Sequence, residues 1–166
     1  DPNLRGAFIG LGRRHGPTDL AYAVLEGVAC QNRLVLERAE GALGTRVDEI
    51  RFGGGGAANP VWAQVKADIC GRPIAIGAAR EPGLLGAAIV AWTGLRRFAS
   101  LEMAQDALVS IISRYEPDPT RRPAYNALYA LYRQSETALA PISADLVALA
   151  QNTAALPGLA NPARPT

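Results

Sequence analysis

The chain has 166 residues, 49% hydrophobic and 19% charged, which fits one globular domain with a real core and excludes a disordered chain. A net charge of +2, with arginines scattered as in Arg13-Arg14, Arg96-Arg97 and Arg121-Arg122, offers no stripe for nucleic acid or a membrane surface. No apolar run approaches the ~20 residues of a membrane helix, no signal-peptide pattern opens the chain, and Cys30 and Cys70 have no Cys or His at metal-ligand spacing. Each cysteine reads as a buried free thiol, a usage that suits a reducing cytoplasm.

In chain order, Arg5 to Leu11 reads as a short extended piece ending in a turn at Gly12. A helix follows, with Pro17 in its first turn and Thr18 or Asp19 as caps. Leu20, Val24, Val28 and Val35 keep helical spacing, and Gly41 and Gly44 end it. Val47 to Phe52 reads as a strand, followed at once by Gly53-Gly54-Gly55-Gly56. Asn59 and Pro60 then suit the cap and first residue of a helix through Val61, Trp62, Val65 and Ile69, which Gly71 stops. Pro73 to Ile76 reads as a second strand, and a helix from Glu81-Pro82 runs to about Gly94. The remainder reads as helical. Ser100 caps a helix through Met103, Ala107, Leu108 and Ile111-Ile112. Asp118-Pro119 opens another, carrying Tyr125, Leu128, Tyr129, Leu131 and Tyr132, which Pro141 interrupts. A loose Ala/Pro-rich tail is expected from Ala154. The alternation implies an α/β domain with a short sheet flanked by helices. Two convincing strands and one doubtful one are few for an open sheet. With Asp1-Pro2-Asn3 opening the chain without Met, part of the domain is expected upstream.

The glycine run carries the functional signal. Glycines after a strand let a ligand approach the main chain and tolerate φ > 0. The unpaired N–H groups and positive dipole end of the next helix favour an anion. The run is no P-loop, because no Gly-Lys-Ser/Thr follows, and it lacks the spaced dinucleotide fingerprint. Taken alone, a plain tight turn is the simpler reading. A second small-residue cluster, Gly83, Gly86, Ala87 and Ala88, leaves its helix nearly bare. Close packing explains that cluster first; the flat wall of an adenine slot is the other reading.

Read together, these segments resemble the FGGY carbohydrate kinase family over about residues 1 to 135. GAFIGL, a seven-residue gap and DLAYAVLE fill one family pattern at Gly6, Phe8, Gly10, Leu11, Asp19, Leu20, Ala23, Val24, Leu25 and Glu26. A GGGA turn with a polar residue, a Trp and a Gln-x-x-Ala-Asp helix fills the next at Gly54, Gly55, Gly56, Ala57, Asn59, Trp62, Gln64, Ala67 and Asp68. Glu81 leading into Leu85, Gly86, Ala87 and Ala88 fills the third. The HGPTDLAYAVLEG stretch looks most like bacterial xylulose kinases. Tyr22 stands where many members have Arg, Pro82 where a small residue is common, and Gly53 where Ser is frequent.

The resemblance implies part of an actin-like, ribonuclease-H-like ATPase domain, with residues 1–140 an incomplete C-terminal nucleotide-binding domain and 141–166 a helix remnant and tail. It implies ATP and Mg²⁺ as cofactors, a ketose or polyol as co-substrate, and the missing N-terminal kinase domain as partner. It places Gly54, Gly55 and Gly56 against the nucleotide, with Ala57 and Asn59 near the adenosine. Asn59 either faces the base or only caps its helix. The whole enzyme would phosphorylate a sugar hydroxyl, D-xylulose being the expected acceptor, in the cytoplasm. A homodimer is compatible with this reading, and neither nucleic acid nor a membrane is an expected partner. The resemblance implies that the catalytic Asp belongs to the N-terminal domain, so no catalytic or metal-binding residue is named, and the chain alone is expected to be inactive. The alternatives are a non-catalytic actin-like nucleotide-binding module and a helical interaction domain.

Single residues have plainer readings. His15, in a Gly-Pro loop, reads as a surface residue without triad partners. Asp68, Glu26 and Glu81 read as structural, and Tyr125, Tyr129 and Tyr132 as core or interface at helical spacing.

Overall fold

The computed structural model describes residues 3–154. Helix α1 (Pro17–Leu43) is followed by strand β1 (Ile50–Phe52), a 3-10 turn (Gly55–Ala58) and helix α2 (Pro60–Cys70). Strand β2 (Ile74–Gly77), helices α3 (Pro82–Gly94) and α4 (Leu101–Leu108), strand β3 (Ile111–Tyr115) and helix α5 (Arg122–Ala154) complete it. The sheet order is β1-β2-β3. β1 and β2 are parallel, with Ile50 beside Ile74 and Phe52 beside Ile76; β3 runs antiparallel, with Tyr115 beside Ile74 and Ser113 beside Ile76. The result is a helix-rich α/β unit with a small mixed sheet.

Local chemistry explains the helix ends. Proline stands at the first turn of α1, α2 and α3, where its missing N–H costs nothing. Asp19 accepts the Gly16 amide at 2.8 Å, so of the two expected caps Asp19 acts. α1 passes through Gly41 and stops at Gly44, whose φ of 66° suits a left-handed cap. Gly71 closes α2 in the same way, at φ 61°. A side chain there would also collide with the Arg122 guanidinium. Ser100 caps α4 by accepting the Met103 amide at 3.3 Å.

α2 is the centre of the molecule. One face packs on α1 and α5 through Val65, Ile69, Ala29, Cys30, Leu34, Tyr125 and Tyr129. The other covers the sheet through Ala63 and Ala67 against Ile74 and Ile76, with Ile50, Phe52 and Tyr115 at the margin. Fully burying a side chain such as Leu34 or Ile69 contributes about 1.5–3 kcal/mol. Arg72 and Glu40 tie the β2 approach to α1 at 2.9 Å, and Glu40 also accepts the Val47 amide. These bonds hold the Glu40 carboxyl below its ordinary range, the Val47 amide contributing most.

Three expectations need correction. Ile111-Ile112 belongs to a strand, not to the end of a helix: β3 satisfies the open edge of β2. Arg5–Leu11 forms no strand among the described residues. α5 continues through Pro141, which is exposed. Its missing hydrogen bond therefore falls on the wet side of the helix, where water can replace it. The expected boundary at residue 141 falls inside α5, and the tail beyond Ala154 lies outside the described residues. No helix among the described residues is long and apolar enough to cross a membrane.

Candidate functional site

The glycine run leaves the carboxyl end of β1 and becomes a 3-10 turn before α2 begins. Each glycine has its own reason. Gly54 has φ 83°, which side-chain-bearing residues rarely adopt. Gly55 faces open space, and a Cβ there would meet nothing within 4 Å. A Cβ on Gly56 would collide with the edge of the Trp62 ring and lie 3.1 Å from Phe52. Gly53 lies under Pro82 of α3, where a Cβ would sit 3.1 Å from the proline ring. Ala57 packs at the edge of the sheet-side core rather than facing outward.

Asn59 caps α2. Its Oδ1 accepts the amides of Val61 at 3.0 Å and Trp62 at 3.2 Å, and its carbonyl accepts from Ala63. The expectation of unpaired amides at the start of α2 is thereby corrected, because Pro60 has none and the next two are taken. The free donors lie earlier. A 3-10 turn leaves its leading amides without internal partners, and here those belong to Gly55 and Gly56; Ala57 is the first to donate, to Gly54, at 3.0 Å. The Asn59 Nδ2 has no partner among the described residues, and the residue is exposed.

Beside the turn lies a cavity of about 420 Å³. Phe52 and Gly53 from the end of β1, Gly77 and Ala78 from the end of β2, and Leu85 and Gly86 from α3 form much of its wall. Arg51, Gln105 and Ser110 add polar groups. Ile50 and Phe52 serve the core on the α2 side, so strand alternation sends Arg51 to the opposite face. The cavity occupies the crevice outside the carboxyl ends of parallel strands, where open α/β sheets bind ligands. Gly53 lines it; Gly54, Gly55, Gly56, Ala57 and Asn59 do not, and the turn continues from its edge. Of the second small-residue cluster Gly86 alone lines the cavity, as a bare patch on the α3 wall; Gly83, Ala87 and Ala88 do not reach it.

The remaining candidates are structural. Asp68 is 1% exposed and accepts from Gln64 Nε2 and the Asp118 amide, each at 2.8 Å, with Arg121 at 3.4 Å. His15 Nδ1 accepts the Gly12 amide at 2.8 Å and shapes its own loop. Tyr129 donates to Glu37 and Tyr132 to Gln31, each at 2.7 Å, while Tyr22 and Tyr125 share a hydroxyl contact at 3.3 Å. The tyrosine stripe is therefore core, and Tyr22 points into it. Burial raises the Glu26 carboxyl, offset partly by its Tyr125 hydrogen bond. Glu81 caps α3 through its carbonyl, which accepts from Leu84 and Leu85, and not through its side chain. Both cysteines are buried free thiols, pushed up to about 11 by burial.

Sequence reasoning passed over the floor of the turn. Phe52 and Trp62 meet edge to face at 5.6 Å beneath Gly56, and Lys66 Nζ lies 4.8 Å from each ring centroid. The signal was present as Lys66, a cation set between Val65 and Ala67 on a mostly apolar helix.

The chain has the actin-like ATPase fold of solved sugar kinases. The solved xylulose kinase from Rhodospirillum rubrum shares it, with a TM-score of 0.74 and 29% identity over 86% of this chain and 29% of that one. Residues 1–95 match the family model described as the FGGY family of carbohydrate kinases, C-terminal domain, and the chain belongs to that family. The xylulose kinase of Staphylococcus epidermidis is 30% identical over 152 residues, which cover 90% of this chain and 30% of that protein. Glycerol kinase 2 of Pseudomonas aeruginosa is 35% identical over 136 residues, covering 81% of this chain and 26% of that protein. The chain thus spans under a third of the length of these relatives.

Proposed function

We propose that the chain is the ATP-holding C-terminal part of a sugar kinase, which transfers the γ-phosphoryl group of ATP to a sugar hydroxyl. The observation that carries this reading is the open turn at Gly54–Gly56, joined through Gly53 to the cavity at the ends of β1 and β2. The residues suit the ligand in a definite order. The Gly55 and Gly56 amides would donate to phosphate oxygens, because no side chain stands over Gly55. The apolar wall of Leu85 and Gly86 would take the adenosine, and Asn59 Nδ2 would meet its polar edge. Ala57 would contribute main chain only, since its side chain faces the core.

Among the described residues no cluster of three His, Cys, Asp or Glu could hold a metal. Mg²⁺ would arrive on the phosphates and screen their charge. The base that takes the hydroxyl proton would come from a carboxylate elsewhere in a longer protein. This chain's contribution is to seat the nucleotide and exclude water as its cleft closes.

D-Xylulose is the acceptor we favour, because xylulose kinases recur among the relatives and the solved structures. Glycerol is the second reading, on the glycerol kinase match. The full-length protein carrying residues 1–166 is expected to turn over MgATP with D-xylulose, and residues 1–166 alone are expected to phosphorylate nothing. Faster turnover with glycerol would replace the favoured acceptor. Sugar phosphorylation by the isolated chain would contradict the division of labour.

A further inference from the structure

Lys66 is a buried charge without a charged partner among the described residues. It is 7% exposed, on the middle of α2, and its ordinary place would be in water. Its ammonium donates to Asn32 Oδ1 on α1 and lies over the rings of Phe52 on β1 and Trp62 on α2. Cys70, one turn further on, is the other titratable group facing it, and that thiol is neutral. No carboxylate pairs with Lys66 among the described residues. Burial pulls its pKa below the ordinary lysine value. A buried cation without a counter-ion is costly, and ring faces and one amide oxygen offset only part of that cost. Trp62 adds to the strain, because its indole N–H is buried without a partner.

The location of this charge gives it a use. The two rings it touches are those that contact Gly56 from below. Gly56 meets the edges of those rings and the ammonium their faces, so one layer of aromatic side chains is shared by the charge and the glycine turn. In such a low-dielectric layer a charge is poorly screened. We propose that Lys66 is the buried countercharge for the polyphosphate seated on the glycine turn, acting through space across Phe52 and Trp62. The inference rests on the nucleotide reading above and adds a residue to it. Lys66 touches no ligand atom; it sets the potential of the seat.

The distinguishing property is dependence on ligand charge. Support for the turn alone would help adenosine and ATP equally, whereas a countercharge helps ATP, then ADP, and adenosine least. The test uses the full-length protein, with calorimetric titration of adenosine, ADP and ATP into wild type, Lys66→Met and Lys66→Arg. Methionine keeps the length and packing of the stem, and arginine keeps the charge. In Lys66→Met, ATP affinity should fall about tenfold and ADP affinity less, with adenosine unchanged, the scale expected of one poorly screened charge. Lys66→Arg should restore most of the loss. Thermal unfolding of Lys66→Met without ligand should be unchanged or shifted upward, because a buried unpaired charge is removed. Equal loss for all three ligands, or no loss for ATP, overturns the proposal while leaving the nucleotide site in place. A wild type that binds no ATP removes both. Should Lys66→Met fail to fold, Lys66→Gln and the salt dependence of ATP binding by wild type decide the matter. A countercharge role predicts a salt-insensitive contribution that the neutral variant lacks.

Discussion

The chain contains two strand–turn–helix units, β1–α2 and β2–α3, that look alike in sequence and behave differently. Each runs from a strand ending beside glycine to a helix with proline in its first turn. α2 is capped by the Asn59 side chain and is buried from Val65 to Cys70. α3 has no side-chain cap at Glu81 and buries only Ile89, although it is the more apolar helix; Leu84 is 72% and Val90 62% exposed. Apolarity alone does not bury a helix. α2 is buried because it stands between the sheet and two other helices, so both of its faces find partners. α3 packs chiefly on α4 and borders the cavity, with Pro82 over Gly53 and Trp92 beside Phe98, and most of its apolar side chains stay exposed. The turn before α2 is consequently shaped by its own aromatic floor, while the turn before α3 only forms part of a wall.

That contrast can be broken most severely at Asp68. Asp68→Ala removes a buried carboxylate that accepts the part-buried Asp118 amide and the Gln64 side chain, which should cost about 2–3 kcal/mol in urea unfolding. A loss below about 1 kcal/mol would mean that the α2–α5 junction does not depend on this carboxylate. Caps give a smaller effect. Asn59→Ala should cost about 1 kcal/mol, because two α2 amides lose their acceptor. The matching change on the other unit, Leu84→Ser, should stay within about 0.5 kcal/mol, since the side chain is already in water. If Leu84→Ser proved as costly as the cap change, the two units would not differ as described.

Much of the architecture was legible because single residues carry it. Pro17, Pro60 and Pro82 mark helix starts, Gly44 and Gly71 mark left-handed stops, and Ser100 marks the α4 cap. β3 was not legible. Ile111 and Ile112 continue the helical spacing of α4, and only the free edge of β2 makes Ile111–Tyr115 extended, a tertiary effect that local pattern cannot carry. Pro141 misled in the opposite direction. Breaking a helix there presumes a rigid penalty, yet on an exposed face α5 absorbs it. At the candidate site, the glycine run and Asn59 were visible as letters, but their separate jobs were not. That Gly56 is bare because Trp62 lies beneath it, while Gly55 is bare against open space, depends on where one ring packs.

This difference between adjacent glycines gives the most direct test of the nucleotide seat. Gly55→Val should leave the melting temperature of the full-length protein nearly unchanged, since its Cβ meets no atom within 4 Å. Its extra methyls would occupy the space over the turn, so KM for ATP should rise at least about tenfold while KM for the sugar holds. An unchanged KM for ATP together with an unchanged kcat would show that no nucleotide rests on this turn.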